Sequence, residues 1–210
     1  MNSNISDKQV EPSLAPLLAE IRACKACAAH LPLGPNPVVQ ASNRARLVIA
    51  GQAPGLAVHK SGKPFDDPSG ARLRQWMGID MEDFYNPLKV NIIPMGFCYP
   101  GRNKNGGDCP PRPECRALWH DKLFASLPEQ SLILVIGAYA QRYHLGSLRK
   151  ASLTETVRNW EAYGPVYVPL PHPSPRNIGW LKRNPWFDRD VVPMLRRKVA
   201  DILGREGAAV

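Results

Sequence analysis

The sequence predicts an α/β fold, a three-layer α/β/α sandwich around a central, mostly parallel four-stranded sheet. Three observations point there. Four short apolar runs, most of them rich in β-branched residues, lie at 46–50, 90–93, 132–136 and 166–170, with helical stretches between them. Two of these runs, ending at Ala50 and Ile136, are followed at once by glycine, the pattern of a buried parallel strand feeding a turn. Two strand ends carry turns stiffened by proline, Gly51-Gln52-Ala53-Pro54-Gly55 and Pro171-His172-Pro173-Ser174-Pro175-Arg176-Asn177. Strands alternating with helices argue for helices on both faces of the sheet, and in such sheets ligands sit beyond the carboxyl ends of the strands.

Along the chain, residues 1–12 read as a disordered polar leader, 13–204 as a single α/β domain and 205–210 as a tail. Residues 14–23 carry apolar positions at helical spacing, with Ser13 as the N-cap and Pro16 inside the first turn. The strand Leu47-Val48-Ile49-Ala50 comes next, then a helix over 69–77 and the strand Val90-Asn91-Ile92-Ile93. Residues 99–113 form a long basic loop rich in proline and glycine, and such loops in compact domains are usually functional or disordered. A helix over 115–126, the strand 132–136 and a helix over 138–145 follow, and the strand 166–170 and a helix over 187–203 complete the pattern.

A chain of 210 residues with 44% hydrophobic content holds one such domain with a full core. No apolar run approaches the ~20 residues that span a bilayer, and the N-terminus lacks the apolar core of a signal peptide. The expectation is a cytoplasmic monomer with no membrane partner. The formal charge of +9, from 27 basic and 18 acidic residues, favours a polyanionic partner, nucleic acid being the usual one. Five cysteines without a secretory signal argue against a disulfide framework and for metal binding or buried free thiols.

Cys24 and Cys27 form a CxxC at the end of the first helix, and Cys98 and Cys115 follow with sixteen residues between them. Four thiolates in two pairs suit a tetrahedral zinc or an iron–sulfur cluster, although free cysteines are also common as small buried hydrophobes. Cys109 is a spare. The first turn lacks the lysine and hydroxyl of a P-loop, but it sets Gln52 at a strand end facing the expected crevice.

Taken together, these residues resemble the uracil-DNA glycosylase superfamily, most closely its iron–sulfur branch, family four and its relatives. Gly51-Gln52-Ala53-Pro54 resembles the first motif of that superfamily and His172-Pro173-Ser174-Pro175 the second. Gly62-Lys63-Pro64-Phe65 matches the Arg/Lys-Pro-Phe segment between them, Asn91 the asparagine of a middle strand, and Gly137-Ala138-Tyr139-Ala140 a turn of the family. Cys24, Cys27, Cys98 and Cys115 match the cysteines of the iron–sulfur branch, which implies a [4Fe-4S] cluster with zinc as the alternative.

The resemblance implies hydrolysis of the N-glycosidic bond of uracil, or of a related deaminated base, in DNA by a monofunctional enzyme acting on a flipped or unpaired nucleotide. It implies that Phe65 stacks on the base and Asn91 reads its Watson–Crick edge. His172 would hydrogen-bond uracil O2 as charge develops, with backbone amides of Gln52 and Ala53 assisting and Gly51 and Pro54 shaping the pocket. Ser174, Arg176, Asn177, Arg102 and Lys104 would hold DNA, and Arg176 or Trp180 would wedge into the vacated stack.

Two departures stand out. The family's first motif usually offers a carboxylate, an aspartate in third place or a glutamate in second, where this chain has the neutral Ala53 and Gln52. Asp66, Asp67 and His59 lie nearby in sequence, and Gln52 could orient a water. Cys98 follows Asn91 by seven residues, a longer step than family four leads one to expect. The alternative is a uracil-DNA-binding protein without efficient turnover. A branch that traps its product covalently uses a histidine in an extra basic loop, and 101–108 contains none. A nucleoside hydrolase would need no basic loop, and a zinc module without catalysis would lack an iron–sulfur absorbance.

Overall fold

The computed structural model describes residues 14–204. The Ser13 cap, the leader and the tail lie outside the described residues. Strands β1 (Leu47–Ala50), β2 (Val90–Ile92), β3 (Leu132–Ile136) and β4 (Tyr167–Leu170) form one sheet in the order β2-β1-β3-β4. Every pairing is parallel, so the expected mostly parallel sheet is wholly so. Successive side chains of a strand point to opposite faces, and here both faces are apolar. Leu47, Ile49, Leu132 and Leu134 enter one core, while Val48, Ala50, Ile133 and Val135 enter the other.

The helices are α1 (Leu14–Arg22), α2 (Leu56–Ser61), α3 (Pro68–Met77), α4 (Met81–Tyr85), α5 (Pro113–Cys115), α6 (Asp121–Ala125), α7 (Gly137–Leu145), α8 (Leu153–Arg158), α9 (Ile178–Arg183) and α10 (Val192–Ile202). Leu73, Trp76 and Met77 of α3 and Leu195 and Val199 of α10 cover the first face. Leu17, Leu18 and Ile21 of α1, with Ala140 and Leu145 of α7, cover the second. This is the three-layer sandwich.

The helix expected over 115–126 is interrupted by a π-helical segment, Arg116–His120, between α5 and α6. That expected over 187–203 begins with another, Phe187–Val191, before α10. Pro193 accounts for the second, because it has no N–H to continue regular i→i−4 bonding and is accommodated in the first turn of α10. No helix among the described residues is long and apolar enough to cross a membrane.

Candidate active site

β1 runs straight into the first proline turn. The carbonyls of Gly51 and Gln52 accept from the N–H groups of Met95 and Gly96, each at 3.0 Å, which ties the turn to the chain leaving β2. After α2, Phe65 adopts φ 54°, a left-handed conformation that costs a bulky residue on the order of 1–3 kcal/mol. Its surroundings hold it there. Tyr85 Oη donates to the Phe65 carbonyl at 3.4 Å, and the Phe84 ring meets the Phe65 ring edge-on at 6.1 Å. The ring reaches back to β1, where Phe65 Cζ lies 3.3 Å from the point a Cβ on Gly51 would occupy. The glycine at the strand end leaves room for the rim of the ring to approach this closely.

The second turn leaves β4 with His172. Its Nδ1 accepts the Ser174 N–H at 3.2 Å, so the imidazole proton sits on Nε2. Burial pushes the His172 pKa below its ordinary value, against the opposing pull of the Asp67 and Asp108 carboxylates. The ring is therefore a neutral donor at pH 7. Arg72 of α3 donates from Nη1 to the carbonyls of Pro173 (3.2 Å) and Ser174 (3.1 Å), and Asn177 Nδ2 donates to the His172 carbonyl at 2.7 Å. Gly137, at the start of α7, packs beneath: a Cβ there would lie 3.9 Å from His172 Cβ.

The basic loop is an ordered tongue. Arg102 and Asp108 form an antiparallel bridge, Cys109 N–H donates to Gly101 O at 2.8 Å, and Asn103 N–H donates to Gly107 O at 2.7 Å. Gly101 (φ 91°) and Gly106 (φ 73°) supply the left-handed turns it needs. Arg176 Nη2 donates to Gly106 O at 2.7 Å and Gln52 Nε2 to Cys109 O at 3.5 Å, so both proline turns grip the tongue.

These elements enclose a cleft of about 450 Å³. Gly51, Gln52, Ala53 and Pro54 line it from the first turn, Phe65 from the segment before α3, and His172, Ser174 and Arg176 from the second turn, while Arg102 and Asp108 enter from the tongue. Lys104 is exposed on the tongue and does not line the cleft.

Three expected site residues have other roles. Asn91 is fully buried in mid-strand; its Oδ1 accepts from Ser42 N–H at 2.8 Å and its Nδ2 donates to Ala45 O at 3.1 Å. Its amide binds the chain before β1 to the sheet, and Pro94, three residues on, occupies the mouth of the strand. Asn177 braces the second turn from within instead of facing DNA. Trp180 donates from Nε1 to Thr154 Oγ1 at 2.8 Å and packs on Trp186 and Phe187, so it belongs to the core and is no wedge. Sequence reasoning missed Ile178, 44% exposed just after the second turn, and Asp108. The seven-residue step from Asn91 to Cys98 was the available signal that the asparagine sits too early.

On the second face, Cys24, Cys27, Cys98 and Cys115 line one small cavity, and Cys109 stands apart from it, beside Gln52. Burial raises the pKa of Cys27 and Cys98, and pushes that of Cys115 up to about 12. Phe97 N–H donates to Cys115 Sγ at 3.3 Å, a hydrogen bond that favours thiolate. The donor set is that of a four-thiolate site, while among the described residues no three His, Cys, Asp or Glu side chains stand in position to hold a metal ion.

Comparison with known proteins agrees with this geometry. The chain is 28% identical over 162 residues to the Type-4 uracil-DNA glycosylase of Thermotoga maritima, an alignment covering 73% of this chain and 78% of that protein. The family model for the uracil DNA glycosylase superfamily matches residues 39–196, the whole stretch from the approach to β1 into α10. With both proline turns, Phe65 and the parallel sheet inside that span, the chain belongs to the uracil DNA glycosylase superfamily.

Proposed function

We propose that the protein hydrolyses the N-glycosidic bond of uracil, or of a related deaminated base, in DNA as a monofunctional glycosylase that leaves an abasic site. The observation that carries this reading is the pairing, in one cleft, of a neutral histidine donor with an aromatic face. Breaking the bond leaves negative charge on N1 and O2 of uracil and positive charge on the sugar, so catalysis is largely charge stabilisation. The Nε2–H of His172 is the donor for O2, and Ser174 N–H on Nδ1 fixes the tautomer. Phe65 offers its face to a flipped base, and its constrained backbone removes the entropy of placing it.

With Asn91 withdrawn, Gln52 is the only side-chain amide lining the cleft among the described residues. A base preference relaxed among deaminated bases follows, measurable on strands carrying uracil, hypoxanthine or xanthine. Arg102 and Arg176 at the cleft and Lys104 on the tongue supply phosphate contacts, consistent with the +9 charge. Ile178, exposed just after the second turn, is the apolar group offered to enter the stack that the base vacates.

Cys24, Cys27, Cys98 and Cys115 would hold a [4Fe-4S] cluster, whose contribution when bound is structural, tying α1 to both ends of the tongue. Zinc held by the same four thiolates is the alternative. Absorbance near ~400 nm with iron in the purified protein supports the cluster, and zinc without that band excludes it.

The function is tested on a labelled oligonucleotide carrying one uracil, treated with alkali after incubation. Cleavage that His172→Ala loses supports the glycosylase. An intact strand retarded on a native gel would instead leave a uracil-DNA-binding protein without turnover.

A further inference from the structure

We infer that Asp108, carried into the cleft by the tongue, is the carboxylate that takes the proton from the attacking water, replacing the acid that the first turn lacks. The inference rests on the glycosylase reading and adds a catalytic residue to it. The first turn offers only Gln52 and Ala53, and Gln52 Nε2 is already turned toward the Cys109 carbonyl. Of the acid and histidine candidates nearest in sequence, Asp66 and His59 do not line the cleft. Asp67 does, but its Oδ1 accepts the Gly70 N–H at 2.9 Å as the N-cap of α3. Asp108 remains.

Its placement is specific. Asp108 Oδ2 lies 3.6 Å from the point a Cβ on Gly55 would occupy, so the carboxylate rests against the backbone of the first turn. Its charge acts on His172 across the cleft, second to that of Asp67. The tongue gives it a fixed base through the Arg102 bridge and the Cys109–Gly101 bond, and Arg176 holds the tip at Gly106. No ion-pair partner holds the carboxylate among the described residues.

The step balances without a further reactant. The C1′–N1 bond breaks and its electron pair leaves with uracil, whose O2 receives the His172 hydrogen bond. The water oxygen bonds to C1′ while one water proton passes to Asp108, and the product is an abasic sugar with a C1′ hydroxyl. Asp108 then returns its proton to solvent, from which the uracil anion is protonated. While the sugar is cationic, the Asp108 charge also stabilises it.

The test compares full-length wild type with Asp108→Asn and Asp108→Glu in single-turnover cleavage of the uracil strand across pH 4–8, with Asp66→Asn, outside the cleft, as control. Asp108→Asn is expected to slow cleavage about 100-fold or more, the range of general-base catalysis. It should also lose the acidic limb of the pH–rate profile. Affinity for a strand whose uridine carries a cleavage-resistant 2′-fluorine should change less than about 3-fold, since general-base catalysis acts on the chemical step and not on binding. Asp108→Glu should restore part of the rate and the limb, which a purely structural role would not do. A wild type that cleaves, with Asp108→Asn within about 3-fold of it and the limb intact, overturns the assignment and leaves the glycosylase standing. A wild type that cleaves no deaminated strand overturns the reading of the reaction and, with it, the role of Asp108.

Discussion

Gly70 lies in α3, away from the chemistry, yet the geometry makes it a sensitive control of the cleft. A Cβ at this position would sit 1.8 Å from the Phe65 carbonyl oxygen and 2.8 Å from Phe65 Cβ. Real Cβ atoms stay beyond 3.0 Å, so Gly70→Ala must drive the two backbones apart by more than about 1 Å. The carbonyl belongs to the main chain and cannot swing aside as a flexible side chain would. Helix propensity alone predicts the opposite sign, since alanine is better than glycine in a helix by about 1 kcal/mol. Overpacking of this kind costs about 1–3 kcal/mol, which offsets or outweighs the propensity gain and leaves a net loss of up to about 2 kcal/mol, lowering Tm by up to roughly 8 °C in a chain of this size.

The catalytic effect should exceed the thermal one. Phe65 is held at φ 54° with its ring against Gly51, and a 1 Å misplacement of a group that positions substrate costs on the order of 100-fold in rate. Gly51→Ala provides the graded comparison: its Cβ would meet Phe65 Cζ at 3.3 Å, a contact relieved by a shift of a few tenths of an ångström, so a loss of about 10-fold or less is expected. Thermal melting and single-turnover cleavage of a uracil strand measure both terms. A Gly70→Ala protein that melts at or above wild type and cleaves at the wild-type rate refutes the account of how Phe65 is held.

Three further outcomes follow from the same geometry. Asn91→Ala leaves the Ser42 N–H and the Ala45 carbonyl without their partner and should destabilise the fold by about 2–4 kcal/mol, while the folded protein cleaves at near the wild-type rate. A large rate loss at unchanged Tm would return Asn91 to the cleft. Arg72→Ala frees the carbonyls of Pro173 and Ser174, and should slow cleavage roughly 10-fold or more with little change in melting, as paired assays would read. His120, fully buried, has its pKa lowered to about 4, chiefly by burial. Because the unfolded chain binds the proton first, the stability from keeping this ring neutral is complete above pH ~6.5 and lost as pH falls toward 4, amounting to about 3 kcal/mol. Urea unfolding at pH 7 and pH 4.5 should show the loss, and His120→Phe, which preserves the ring stack on Phe97, should flatten it.

The strands were legible because each is buried on both faces and bounded by turn residues, so their positions follow from composition alone. The short helices were not. α2, α4, α8 and α9 have five or six residues each, too few for a 3.6-residue period to register. Two carried a readable start signal, the Ser152–Glu155 capping box of α8 and the Asp80 N-cap of α4. Both proline turns were legible because proline and glycine at a strand end leave few conformations. Asn91 was misread because a polar residue in a buried strand can serve a ligand or a neighbouring segment equally well. The choice depends on where residues 42–45 pack, which no local pattern encodes. Asp108 was invisible for the same reason: its place in the cleft rests on the Arg176–Gly106 bond, between residues 70 apart.

The two unusual features of this chain, four thiols and a missing acid in the first turn, meet in the tongue. Cys98 precedes it and Cys115, at the end of α5, follows it, and both line the cavity that also receives Cys24 and Cys27 from beyond the end of α1. Hydrolysis moves no electrons, so the thiols have no redox task in it. With the proposed cluster bound, fixing both ends of a loop of this length would remove about 3 kcal/mol of chain entropy on the cross-link account, comparable to what the few hydrogen bonds inside the tongue contribute. Arg102 and Asp108 sit on the part of the loop so restrained. A carboxylate carried on β1 would need no such support, because the sheet itself would position it; one carried on a glycine-rich loop does. On the proposed reading the thiol site and the displaced acid would form one arrangement, in which a cluster held by the four cysteines would stiffen the segment that carries Asp108 into the cleft.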